Sequence, residues 1–416
     1  PLRPLERELF VDPLREGILG ALAAVGAVPR RRVEASPVLT LVGNRVAADL
    51  DLLGWRRVRR GPIAVLNPAP GFRRLVAAWH VGRIRRALPA VAARIVREVD
   101  ERLAQVPAMP TLSDERLLAI LARVPAELVA VHAHQILAGM LLPPRDGGGS
   151  ATTVALPAVG AARARGERDA DVVARCPAAL ALVPPRVGAV FPLPDVPTVA
   201  DAGAPCACDL AALEPRESLR LRARWLDEVA ARAATELGRR LAARGRVEDA
   251  ADVRELRVSE LRAVLDGAPV PPDLPHRRRI ADGPPLPATF RLTPTGHVVA
   301  QRPDGDCRGR GAGGGRGEGV ARREEDGPSR PGDVLVVRVL APSLAPRLPV
   351  LAGIVSETGS ALSHLAIVAR EQGVPTVVAL PGALERFPPG ARVLVDGTTG
   401  EVRRLDGPTG AKEGSA

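Results

Sequence analysis

The stretch from Leu351 to Leu380, LAGIVSETGSALSHLAIVAREQGVPTVVAL, leaves this part of the chain few ways to fold. An apolar run over 351–355 is followed by a turn of small residues, Thr358-Gly359-Ser360-Ala361. Ser363 and His364 come next, residues 365–372 are good helix formers, and Gly373 stands where a helix stops. Pro375 and the β-branched run Thr376-Val377-Val378 open another strand. Strand, tight turn, helix, glycine stop and strand make a compact βαβ unit, and its turn delivers one imidazole to the start of a helix.

That position has chemical consequences. The first N–H groups of a helix lack intrahelical partners and carry the positive end of the dipole, so they favour a nearby phosphate. A neutral imidazole there can attack a phosphoryl group and hold it as a phosphoramidate. Gly359 lets the backbone approach closely, and Ser363 offers a hydroxyl beside the ring. By spacing alone, a histidine that only caps the helix is an equal alternative.

The segment TGSALSHLAIVAREQGVPTVV resembles the phosphohistidine signature of the phosphoenolpyruvate-utilising enzymes, a family that includes pyruvate phosphate dikinase, phosphoenolpyruvate synthase and rifampicin phosphotransferase. The residues that match are Gly359, Ser363, His364, Ala366, Ile367, Ala369, Arg370, Glu371, Gly373 and Pro375. Ser360 stands where a second glycine is usual, and Ala379 where a glycine often follows the valine pair. The resemblance implies that His364 is the catalytic nucleophile, with Thr358, Gly359, Ser360, Ser363 and Arg370 around the phosphate. Arg370 also reads as a structural residue.

A second segment, DVRELRVSEL over 252–261, resembles the helical region ahead of the linker in the synthase and rifampicin phosphotransferase branch. Arg254 takes the place of its usual aromatic residue. Between the two segments, residues 267–317 are rich in Pro, Gly and Arg, and the glycines from 304 to 319 read as a flexible tether. A phosphate-binding glycine loop there lacks a strand–loop–helix frame and a following Lys-Ser/Thr.

Elsewhere the pattern is mainly helical. Residues 14–24, 71–106 (with Pro89 inside), 112–140 (opened by Ser113), 170–182, 218–244 and 259–265 read as helices. Residues 38–50 read as a hairpin around Gly43-Asn44, Gly147-Gly148-Gly149 as a break, and 184–205 as a proline-rich loop. Toward the C-terminus, 319–323, 333–340 and the hairpin 392–405, turning at Asp396–Gly400, read as strands. The expected fold is multidomain. A mainly α region over 1–290 binds an acceptor or a partner, 291–317 is a linker, and 318–406 is a small β/β/α swivelling phosphohistidine domain. Residues 407–416 form a disordered tail.

Composition narrows the partners. The net charge of +11 is carried almost wholly by arginine, with Lys412 the single lysine, and it is scattered rather than clustered. Aromatic residues make up only 2%, so stacking platforms for single strands are few and no nucleic-acid partner is expected. No uninterrupted apolar run approaches a membrane span, and no signal peptide opens the chain, so a cytoplasmic protein without a membrane partner is expected. Cys176, Cys206, Cys208 and Cys307 read as free thiols. No metal site is expected: Cys206 and Cys208 are too close together for a zinc pair, and His132 and His134 point to different helix faces. His80, beside Trp79, reads as a core or groove residue.

Position 1 is proline, as in a processed chain or a piece of a longer one. The resemblance implies a phosphotransferase component whose Mg-ATP binds elsewhere, on an ATP-grasp subunit or a missing domain, with no cofactor in this chain. His364 then relays the phosphoryl group to a small-molecule acceptor, through a hydroxyl or a pyruvate-like group. The alternative is a catalytically degenerate binding or regulatory protein that keeps the swivelling fold.

Overall fold

The computed structural model describes residues 3–26, 31, 38–42, 45–48, 69–143, 150–188, 193, 210–280, 290–293, 295–300, 309–359, 361 and 364–406. The Gly43-Asn44 turn, Gly147-Gly148-Gly149, most of 184–205, residues 304–308 and the tail 407–416 lie outside them. The chain divides into two compact units. One comprises Pro1–Ala151, Pro184–Phe191 and Asp209–Pro284; the other comprises Thr152–Val183, Pro192–Cys208 and Pro285–Ala416.

The first unit is built on three long helices, Ala69–Ala104, Asp114–Leu141 and Pro215–Ala243. Each starts for a local reason where its cap is defined. The Ser113 hydroxyl accepts the Arg116 amide at 3.3 Å, and Pro215 occupies the first turn of the third helix, where a missing N–H costs nothing. Their apolar stripes meet in a core of Leu117, Leu121, Leu128, Leu219, Leu237 and Leu241, joined by Leu5 and Leu9 from the N-terminal residues. Arg222 crosses this bundle as a fork, donating to both carboxylate oxygens of Asp100 at 2.9 and 2.7 Å and to the Ser218 hydroxyl at 3.0 Å.

Helix Asp114–Leu141 is, by length and composition, long and apolar enough to cross a membrane. Arg123 and Glu127 interrupt its apolar run, which hid this property in the sequence. Here its apolar positions are part of the bundle core. On the same helix, buried His132 packs where Gly17 comes close, and His134 bonds the Ala130 carbonyl at 2.8 Å. Trp79 is 57% exposed and meets the His80 ring edge-on.

The DVRELRVSEL segment forms a 3₁₀ turn, Ala250–Glu255, and the helix Val258–Leu265. It is tied to the N-terminal residues by ion pairs: Arg254 Nε lies 3.2 Å from Glu6 Oε1 and Arg3 Nη1 lies 2.9 Å from Glu255 Oε1. The Glu8 carboxylate accepts the Val258 amide at 2.8 Å. Arg254 therefore replaces the expected aromatic residue with a cation matched to a carboxylate that is 3% exposed.

The second unit contains a seven-stranded mixed sheet. Its strand order is Glu401–Arg404, Arg392–Asp396, Arg316–Arg322, Asp333–Val337, Leu351–Ser356, Thr376–Val378 and Arg310–Gly313. The four strands from Arg316–Arg322 to Thr376–Val378 run parallel, and the outer ones pair antiparallel. The sheet curls into a half-barrel. Gly309 N–H reaches the Gly400 carbonyl and Gly397 N–H the Gly315 carbonyl, both at 3.0 Å. Asp396 accepts the Thr398 and Thr399 amides at 3.0 and 2.8 Å, and these amides with Arg316 hold its carboxyl down at about 2.

This corrects the flexible tether over 309–319, which forms two strands of the sheet. The glycines serve close approach between backbones. A Cβ added at Gly317 would run into the Ala352 carbonyl, and one at Gly319 into the Gly332 carbonyl. Helix Ala151–Ala164 is a further addition that the sequence did not suggest. It is apolar nearly all round, so it carries no amphipathic period. Residues 170–182 split into the helix Asp169–Arg175 and a 3₁₀ turn, Pro177–Leu182. Cys176, between them, is disulfide-bonded, which corrects its reading as a free thiol; the other three cysteines lie outside the described residues.

Candidate active site

The βαβ unit read from the sequence is present. Strand Leu351–Ser356 leads through a loop to the helix His364–Glu371, and the chain returns as strand Thr376–Val378. Ile354 and Val355 pair in parallel with Thr376 and Val377. Gly373, at φ 69°, ends the helix: its amide bonds the Arg370 carbonyl at 3.1 Å, while the Val374 amide bonds that of Ala369 at 2.8 Å. This double closure is what a left-handed glycine permits. Buried Leu365, Ala366, Val368 and Ala369 seat the helix on the domain core.

His364 is the first residue of this helix. The loop before it is anchored at its entry. The Glu357 amide continues the parallel ladder to the Val337 carbonyl at 3.0 Å. Thr358 then gives its amide at 3.0 Å and its hydroxyl at 2.7 Å to the carbonyl oxygen of Arg338. Buried Ser356 adds its own hydroxyl, 3.3 Å from the same oxygen and 2.6 Å from the Thr358 carbonyl. Gly359, at φ 118°, follows directly, in a region closed to most side chains.

The sequence-derived site residues separate accordingly. Thr358 spends its hydroxyl on a backbone acceptor, so it shapes the loop. Gly359 is exposed and turns the chain. Ser360 and Ser363 lie outside the described residues. Arg370 is exposed in the last turn of the helix, six positions beyond His364 and so about 9 Å along the axis. The structure therefore does not bring Arg370 to the helix start. Among the described residues no group of three or more His, Cys, Asp or Glu could hold a metal ion.

Three groups around the loop escaped the sequence reading. Arg338 is its backbone anchor. Glu357 holds the loop to the next connection: its Oε1 accepts the Leu384 amide at 3.1 Å, and its Oε2 lies 3.7 Å from Arg338 Nε. Arg323, only 9% exposed, donates its guanidinium to the Leu384 carbonyl. All three sit at or just beyond the carboxyl ends of parallel strands, where ligands of such sheets bind. The expected strands over 319–323 and 333–340 took in Arg323 and Arg338, which the structure places just past strands ending at Arg322 and Val337, and Glu357 lies two positions past the apolar run 351–355.

Comparison with known proteins agrees with this geometry. Residues 329–400 match the family described as PEP-utilising enzyme, mobile domain. An uncharacterised protein of Mycobacterium tuberculosis is 34% identical over 200 residues, which is 46% of this chain and 23% of that protein. A phosphoenolpyruvate-protein phosphotransferase of Streptomyces coelicolor is 55% identical over 73 residues, 17% of this chain and 13% of the other. A rifampicin phosphotransferase of Streptomyces sviceus is 40% identical over 74 residues, 18% of this chain and 8% of that one. The chain thus spans less than a quarter of the length of these relatives.

Proposed function

Because residues 329–400 are a mobile domain of the PEP-utilising enzymes, we propose that this chain is the phosphohistidine-carrying part of a phosphotransferase. The observation that carries the reading is His364 as the first residue of a helix that follows an anchored, glycine-containing loop. In the first half-reaction an unprotonated imidazole nitrogen attacks a phosphorus of ATP. A P–N bond forms, and the P–O bond to the departing product breaks with its electron pair. In the second, an acceptor oxygen attacks the same phosphorus, the P–N bond breaks, and the imidazole is restored. Such transfers need positioning and charge stabilisation more than covalent assistance from the protein.

The donor in this reading is Mg-ATP held by an ATP-grasp subunit or a further domain, and the half-barrel domain swivels between that site and the acceptor site. The acceptor is a small molecule, bound by the helical unit, and the setting is cytoplasmic. The much greater length of the relatives supports a division of labour with further domains. With labelled Mg-ATP and an ATP-grasp partner, the chain gains an acid-labile, base-stable phosphate, and His364→Ala abolishes it. Label that persists in His364→Ala overturns the assignment.

A further inference from the structure

A phosphoryl group carried by the first residue of this helix brings negative charge to the helix start, and helix amides supply only partial positive charge. A nearby full cation stabilises such a group further through charge-assisted hydrogen bonds. The arginine expected from the sequence, Arg370, stands at the other end of the helix. Besides Arg322, whose Nε lies 3.3 Å from Oδ2 of buried Asp333, three more arginines among the described residues lie near the carboxyl ends of the parallel strands. Arg323 is buried and donates to the Leu384 carbonyl. Arg386 has its guanidinium 5.2 Å from the Phe387 ring centre. Arg338 differs from both.

Arg338 follows directly on strand Asp333–Val337, beside the strand from which the histidine loop departs. Its carbonyl oxygen receives the Thr358 amide, the Thr358 hydroxyl and the Ser356 hydroxyl, so its Cα is fixed to the base of that loop. The side chain is 67% exposed, and its nearest carboxylate, Glu357, lies 3.7 Å away. That carboxylate is itself held by the Leu384 amide. One residue thus has a rigidly placed backbone and a guanidinium that is loosely held and open to solvent, a combination suited to receiving an anion that comes and goes.

We propose that Arg338 is the phosphate-contacting cation of this domain, its guanidinium binding the phosphoryl oxygens as the group joins or leaves His364. The inference rests on the phosphohistidine reading given above. In the resting state Glu357 holds the guanidinium at the loop; an arriving phosphoryl group, with more charge and three acceptor oxygens, displaces it. Glu357 keeps its bond to the Leu384 amide throughout, so the loop does not unravel when the arginine turns away.

Potassium phosphoramidate tests this without any protein donor. In that reaction the imidazole nitrogen attacks phosphorus and ammonia leaves, and phosphate on His364 is followed by mass spectrometry at alkaline pH. Applied to the full chain, Arg338→Gln lowers the rate of His364 phosphorylation about tenfold, and Arg338→Lys lowers it less. Raising the salt concentration narrows the gap between the unaltered protein and Arg338→Gln, because an exposed charge is screened; a purely structural role does not respond in this way. Equal rates in the unaltered protein and Arg338→Gln at low salt overturn the role of Arg338 and leave His364 as carrier. If the unaltered protein takes up no phosphate at His364, both readings fall.

Discussion

Thr358 gives its amide and its hydroxyl to a single acceptor, the Arg338 carbonyl oxygen, at 3.0 and 2.7 Å. Two bonds from one residue to one atom make the entry to the histidine loop an extension of the sheet. Thr358→Val keeps the shape and loses the hydroxyl, at a cost of about 1 kcal/mol. Amide hydrogen exchange over residues 356–359 of the full chain then speeds up by about fivefold, while Thr358→Ser stays close to the unaltered protein. No change in Thr358→Val means the hydroxyl is not a structural bond.

Ala379 is the one non-glycine residue with positive φ among those described, at 54°. It joins strand Thr376–Val378 to Leu380, whose amide returns to the Ser356 carbonyl at 3.1 Å. The left-handed region disfavours a Cβ by roughly 1–2 kcal/mol, and glycine gives back part of that through its freer unfolded chain. Ala379→Gly is therefore expected to stabilise the protein by up to about 1 kcal/mol, read as a rise in urea midpoint. A lower midpoint shows that the position carries no strain.

These two residues also show where the sequence was legible. Wherever a short pattern sets its own geometry, the reading holds. The Gly373 stop, the Ser113 cap and the run Thr376–Val378 each fall where expected, because capping and β-branched propensity act over a few residues. His364 stands at the start of its helix by the same local logic, while its role as nucleophile rested on the family resemblance. Arg338 was missed, because its importance comes from a neighbouring strand eighteen or more positions away in sequence. The glycines of 309–319 misled for a related reason. Gly311 faces the Gly397 carbonyl, so their scarcity of side chains is a response to distant backbone, invisible in a local window.

Arg254 and Glu6 test the other unexpected substitution in the chain. Glu6 is 3% exposed, with Arg254 Nε 3.2 Å from one carboxylate oxygen and the Arg3 amide 3.2 Å from the other. Removing the cation strands a buried charge, so Arg254→Ala costs roughly 3 kcal/mol in urea unfolding. The double variant Glu6→Leu/Arg254→Phe puts apolar groups in both places and recovers most of that loss. If the double variant is no more stable than Arg254→Ala, the pair is not coupled in this way.

Asp227 gives the helical unit a pH dependence of its own. It lies in helix Pro215–Ala243, and its Oδ1 is shielded from solvent without a hydrogen-bond partner. Burial pushes its carboxyl up to about 7; Arg224 opposes the shift and Glu228 adds to it. Arg224 is the favourable neighbour, but its guanidinium donates to Glu228 at 3.0 Å, one turn along. The folded protein therefore keeps a proton that the unfolded chain, with its carboxyl near 3.8, has already released. Between these values the unfolding free energy falls as pH rises, by roughly 4 kcal/mol at most across the window. Asp227→Asn removes the titration while nearly preserving shape. Urea unfolding at pH 5 and pH 8 is expected to show the unaltered protein losing more stability than the variant, with the variant the more stable of the two at pH 8. Identical pH dependence in the two proteins means that Asp227 finds a partner or solvent in the folded state.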